Sequence, residues 1–254
     1  MCGRFALSAI PEDLMDAFEI STAYAGPILP ADWNITPTSE IYIVRDNREG
    51  KRELATLSWG LIAPWSNKPW SGKTGSGKPW SNNPMGALRS QSQAINARTE
   101  SVHEKPTFRN AFTTRRCLIP ASGYYEWATE MGPYSPKQPF FIHGPGLIAF
   151  AGIWERWHAP DGSLKESAAI ITRPAVDFLA TVHHRMPTFL PSDRWDRWLD
   201  PGLTTTSEIR LLLELDEPAR GLRAYPVSSK VNSTANNGPE LMNQIELGEP
   251  ETLF

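Results

Sequence analysis

Cysteine is scarce in this 254-residue chain: only Cys2 and Cys117 are present, and no CxxC or HExxH pattern accompanies the five histidines. That excludes a disulfide scaffold, and it leaves too few ligands for an ordinary structural zinc site, so no metal is expected. Long apolar runs are also missing. Nothing approaches the roughly 20 residues that span a bilayer, which gives no reason to expect a membrane partner. The opening Met1-Cys2-Gly3-Arg4-Phe5 lacks the apolar core of a secretory signal, so the expected location is a reducing cytoplasm with both thiols free. An excess of positive charge is absent as well, with 25 Lys and Arg against 28 Asp and Glu. A protein that binds nucleic acid through its overall field would be basic, so any such binding must come from a local arginine cluster.

What is abundant is tryptophan, ten residues, together with 23 prolines. This composition favours many short strands and turns over long helices. A first helix is expected from Pro11, where proline suits the first turn, Glu12 and Asp13 complement the helix dipole, and Leu14 and Phe18 share a face. Glu40 to Val44 and Arg52 to Trp59 read as a hairpin joined by the polar stretch Asp46 to Gly50. Further strands are expected at Cys117 to Ile119, Tyr124 to Trp127, Phe140 to His143, Leu147 to Trp154, Ala168 to Thr172 and Leu222 to Val227. Short helices fit Phe108 to Phe112, Ala175 to Thr181, Asp193 to Leu199 and Ser207 to Leu213. Such spacing suits a barrel or packed sheets, and no linker divides residues 1–254 into two domains.

Residues 66–93 stand apart, rich in Ser, Gly, Pro, Lys and Asn, and carry the near-repeat Lys68-Pro69-Trp70-Ser71 and Lys78-Pro79-Trp80-Ser81. They read as a surface loop insertion. Gly72 to Lys78 satisfies G-x-x-x-x-G-K, yet Pro79 stands where a phosphate loop places the Ser or Thr that holds magnesium, and no apolar strand precedes it. Residues 245–254 read as a flexible tail.

Cys2 carries the most distinctive chemistry. Removal of Met1 by an aminopeptidase that accepts a small second residue would leave an α-amine and a thiol on one residue. The amine, with an ordinary pKa of about 7.7–8.0, is substantially neutral in the cell, and a free thiol of about 8.5 is partly thiolate. An aldehyde would condense with the amine to a Schiff base that the thiol closes into a thiazolidine. Glu126 falls in an aromatic, strand-like run where burial would raise its pKa toward the range useful for proton transfer.

Five segments occur together and in order: Met1-Cys2-Gly3-Arg4-Phe5, Trp59-Gly60 with Trp65, Ile95-Asn96-Ala97-Arg98-Thr99-Glu100, Gly123-Tyr124-Tyr125-Glu126-Trp127, and His183-His184-Arg185-Met186-Pro187. With them the chain resembles the SOS response-associated peptidase (SRAP) family of abasic-site processing proteins over almost its whole length. The resemblance implies a single α+β domain built round a curved antiparallel sheet or barrel with short flanking helices. It implies a sensor that crosslinks abasic sites in single-stranded DNA through Cys2, shields them and slowly releases them. The same resemblance makes Asn96, Glu126 and His183 the other catalytic residues, and Arg4, Trp65, Arg98 and Arg185 the DNA contacts. No cofactor is implied, lyase and autopeptidase activities are, and the expected form is a monomer associated with the nucleoid if the host is bacterial. Adjacent residues on a strand point to opposite faces, so the ring of His184 is expected to turn away from His183. Two other readings stay open: a thiol peptidase using Cys2 and His183 on protein substrates, and a noncovalent single-strand-binding module.

Overall fold

The structure, a computed structural model, describes residues 2–47, 49–66, 93–128, 137–159 and 161–247. In chain order its strands are β1 (Phe5–Leu7), β2 (Asp32–Ile35), β3 (Glu40–Asp46), β4 (Arg52–Trp59), β5 (Asn96–Arg98), β6 (Arg116–Ala121), β7 (Gly123–Trp127), β8 (Pro139–His143), β9 (Ile148–His158), β10 (Leu164–Pro174), β11 (Arg185–Pro187) and β12 (Arg223–Pro226). One curved sheet has the order β12-β8-β7-β1-β2. The other runs β10-β4-β3-β6-β9 and returns to β10, which closes five strands into a barrel, with β11 and β5 attached to the far half of β10. The expected α+β architecture is therefore present. Most pairings are antiparallel, but β4 and then β5 run parallel to β10, at Ser58 beside Ser167 and at Asn96 beside Ile170.

The hairpin of β3 and β4 follows from its sequence: seven residue pairs lie in register from Glu40 opposite Ser58 to Asp46 opposite Arg52, and Gly50 takes the left-handed φ of +70° in the turn. Helix α1 (Pro11–Ala17) starts at proline with two acids in its first turn and buries Leu14. β9 and β10 extend well beyond their apolar runs. Their polar ends are held by ion pairs: Arg156 donates to Glu166 at 2.6 Å, Arg45 to Glu166 at 2.9 Å, and Arg115 to Glu155 at 2.7 Å. Hydrophobic periodicity stops at Trp154, so it could not mark this extension.

The outer wall of the barrel is covered by α2 (Arg109–Thr114) beside β6 and β9 and by a later short helix, α4 (Trp195–Leu199), beside β6. Between them Arg116 is buried and gives its donors to the carbonyls of Phe112, Thr113, Trp198, Asp200 and Leu203. One guanidinium thus satisfies the otherwise orphaned carbonyls at two helix ends. The main core fills the barrel and the space under the curved sheet, while Ala6, Tyr125, Phe141, Val227 and Val231 form a second cluster on that sheet's other face. Tyr124 belongs to the first cluster and Tyr125 to the second, as strand alternation requires, and this puts Glu126 on the same side as Tyr124. Among the described residues, no helix is long and apolar enough to cross a membrane.

Candidate active site

Where the two sheets meet, one contributes Cys2 and Glu126 and the other Asn96 and His183. Cys2 lies just ahead of β1, and β1 pairs with β7 through Phe5 opposite Tyr124, which brings Glu126 back toward the start of the chain. Asn96 opens β5 and donates from Nδ2 to the Cys2 carbonyl at 2.8 Å. Its Oδ1 is buried with no hydrogen-bond partner, leaving an acceptor beside the Cys2 backbone. His183 sits between α3 (Leu179–Val182) and β11, with Nδ1 4.0 Å from Glu126 Oε2. That Nδ1 lies 3.0 Å from the backbone nitrogen of Arg185 and 3.3 Å from the Arg185 carbonyl, so the Arg185 backbone fixes the ring's orientation and leaves Nε2 as the ring's other nitrogen.

Burial governs the charge states here. It raises the pKa of Glu126, as the aromatic strand led us to expect. It also raises that of the wholly buried Cys2 thiol, and the Glu126 carboxylate raises it further. This corrects the expectation of a partial thiolate: in this environment the thiol stays protonated and needs a base to take its proton. For His183, burial lowers the pKa from 6.5 to about 4, so the imidazole is neutral at pH 7.

The residues expected to contact DNA differ in their surroundings. Trp65 is 49% exposed. Arg98, at the end of β5, is exposed. Arg4 is half-buried, donating from Nη1 to Asn34 Oδ1 at 2.6 Å and to the Val231 carbonyl at 2.7 Å, with its guanidinium 5.8 Å from the Trp127 ring centroid. Arg185 is different. Only 8% of its side chain is exposed, and its fork is spent on both carboxylate oxygens of Glu100 and on the Thr172 carbonyl. This geometry ties β11 to the end of β5 and to β10, which is the task of a strut.

The family model described as SOS response associated peptidase (SRAP) matches residues 1–234. The chain belongs to the SRAP family. Abasic site processing protein YoaM of Bacillus subtilis is 32% identical over 243 residues, covering 96% of this chain and 98% of the relative. Abasic site processing protein HMCES of Xenopus tropicalis is 28% identical, covering 97% of this chain and 79% of the relative. A crystal structure of a protein from Bacteroides thetaiotaomicron superposes with a TM-score of 0.77 at 23% identity, over 96% of this chain and all of that one, which shows the shared fold.

Within this SRAP chain the two adjacent histidines depart from expectation. Their ring centroids are 4.2 Å apart and tilted by 31°, so His184 lies against His183 rather than on an opposite face. Neither residue lies within a strand: His183 caps α3 and β11 begins only at Arg185, so alternation does not apply. Glu100 is the residue that sequence reasoning passed over, although it closes one of the quoted segments. Its hydrogen bonds from Arg185 hold its pKa down to about 2. The phosphate-loop pattern at Gly72 to Lys78, Trp70 and Trp80, and all but the first three residues of the 245–254 tail lie outside the described residues.

Proposed function

We propose that this chain captures abasic sites in single-stranded DNA as a covalent adduct on Cys2. The reading is supported chiefly by one arrangement: Cys2, Asn96, Glu126 and His183, distant in sequence, converge where the two sheets meet. The relatives' names, abasic site processing protein, point to the same substrate.

The chemistry begins with hydrolytic removal of Met1, which frees the Cys2 α-amine. The amine nitrogen attacks the C1′ aldehyde of the ring-opened deoxyribose, and the carbonyl oxygen leaves as water to give an imine. The sulfur then adds to the same carbon. Its proton passes to Glu126 and the imine nitrogen takes up a proton, so the thiazolidine forms with net loss of one water. A buried, protonated thiol needs such a base, and a carboxylate with a raised pKa is better matched to that transfer than an ordinary one. Asn96 positions the Cys2 backbone and offers Oδ1 to the amine N–H. His183 exchanges a proton through Nε2 with the sugar hydroxyl during ring opening and reversal. Arg98 and Arg4 bind backbone phosphates, Trp65 stacks on a base, and Arg185 holds β11, the strand that follows His183. No step requires a cofactor.

The test is denaturing electrophoresis after mixing the purified protein with an abasic single-stranded oligonucleotide. A heat-stable shifted band is the expected result. A complex seen only on native gels would favour the noncovalent module, and cleavage of added protein substrates without any adduct would favour the thiol peptidase.

A further inference from the structure

β10 ends at Arg173 and Pro174, opposite Met186 and Arg185 of β11. Beside this end lies a cleft of about 290 Å³ lined in part by Thr99, Glu100, Arg173, Arg210 and Leu213. It adjoins the candidate active site at two points. Thr99 directly follows Arg98, and Glu100 is the carboxylate that holds Arg185, two residues after His183.

The two arginines at this boundary are treated unequally. Arg185 is matched by Glu100, whereas Arg173 makes no ion pair among the described residues. The Arg173 Nε is buried with no hydrogen-bond partner, and Nη1 reaches only the Leu213 carbonyl at 3.4 Å. Burial, and then the neighbouring Arg185 charge, push its pKa down. The Glu100 carboxylate offsets this in part but gives both its oxygens to Arg185, so Arg173 is left half-buried with no ion pair of its own, a cost that an anionic oxygen would relieve. Arg210, exposed on α5 (Thr206–Leu211) and likewise without an ion pair among the described residues, supplies a second cation to the same cleft. Glu214 and Asp216 also line it. Both are exposed, where salt screens them. They disfavour a free multiply charged anion more than a singly charged phosphodiester that a bound strand holds in place.

We propose that this cleft is a phosphodiester subsite for the single strand that passes Arg98, with Arg173 and Arg210 as its cations. The inference rests on the DNA-binding reading above and extends the strand path past the reaction centre to the far side of the Arg185–Glu100 pair. Arg173 is the anchor and Arg210 the outer contact.

The experiment measures affinity by fluorescence anisotropy at several salt concentrations, for abasic strands with a single flanking nucleotide or about six on each side, and for a lesion-free strand of the longer length. Arg173→Ala is expected to weaken binding of both long strands about three- to tenfold. It should flatten their salt slope by about 0.7 and leave the short strand unchanged. Arg173→Lys should keep the slope, and Arg210→Ala, on the surface, should show a smaller loss on the long strands alone. Unchanged slopes in both alanine variants, or equal losses on short and long strands, would overturn the subsite. Failure of the wild-type protein to form any adduct while the long-strand losses persist would count against the covalent reading and leave the subsite standing. No binding of any strand by wild type would remove both.

Discussion

The two cysteines are equally buried, and burial is the leading reason that both thiols are pushed far above the ordinary range, yet their surroundings have little else in common. Cys2 lies beside a carboxylate with a raised pKa, a buried amide with an unused acceptor and a neutral imidazole. Cys117 lies on β6 against the barrel strand β9, where a methyl group on Gly152 would come within 2.8 Å of its sulfur. One thiol lies beside a carboxylate that can take its proton; the other packs among core residues with the Arg45 charge as the one further influence on it, and functions as a small hydrophobic residue. Burial alone therefore distinguishes nothing, and reactivity is decided by which polar groups are buried alongside.

The most severe test of this contrast is a pair of alanine variants. Cys2→Ala is expected to abolish the heat-stable adduct, while Cys117→Ala retains it and loses roughly 1–2 kcal/mol of stability, read from denaturant unfolding. Adduct formation by the Cys2 variant would erase the distinction. Next, Glu126→Gln preserves shape but cannot accept the thiol proton, so single-turnover adduct formation should slow by about 10²-fold or more. An unchanged rate would show that the proton leaves by another route.

A pH series sharpens the role of His183. Its neutral form persists down to about pH 4, so its contribution should survive acidification through 6.5 and fade only near 4. The ratio of wild-type to His183→Ala reversal rates isolates this contribution from other titrating groups. A ratio that collapses with a midpoint near 6.5 would contradict the buried, neutral imidazole.

On the Cys117 side, Gly152→Ala forces a methyl against the sulfur and against Ile119 Cδ1 at 2.9 Å, and should cost roughly 1–3 kcal/mol. Combining it with Cys117→Ala should recover part of that loss, a coupling that a double-mutant cycle measures. The smallest effect is expected from Glu100→Gln, about 0.5–1 kcal/mol, because Glu100 is half exposed although Arg185 is not. The carboxylate's pKa is depressed in the folded state, so the stability it contributes is present above about 4.5 and lost as the pH falls toward 2. Acid titration of stability should therefore be shallower in the variant over that window.

Much of this arrangement was legible in the sequence. The strand at Arg52–Trp59 agrees end for end, and the helix beginning at Pro11 follows from proline and acids in its first turn. No periodicity marks β1, β2, β5 and β11, because three or four residues barely show an alternation; β12, equally short, is legible only through Leu222 and Val227 just outside its ends. Those short strands are where several site residues sit. Asn96 and Arg98 are placed by parallel pairing with β10, a long-range contact with no local signal. The same limit explains Arg185 and His184. An arginine buried on Glu100 has the same local sequence as an arginine exposed to phosphate, and the contact of two adjacent histidine rings depends on a helix ending between Val182 and His183. The resemblance to a family named the candidate residues, while the charge states of Cys2 and His183 required their burial to be known.

The most direct test of the central claim is the intact mass of the conjugate formed with one abasic oligonucleotide, measured under denaturing conditions. The account predicts a protein lacking Met1 joined to the oligonucleotide with the loss of one water, with the linkage mapped to Cys2. A conjugate that retains Met1, or one attached through a lysine or Cys117, would contradict it.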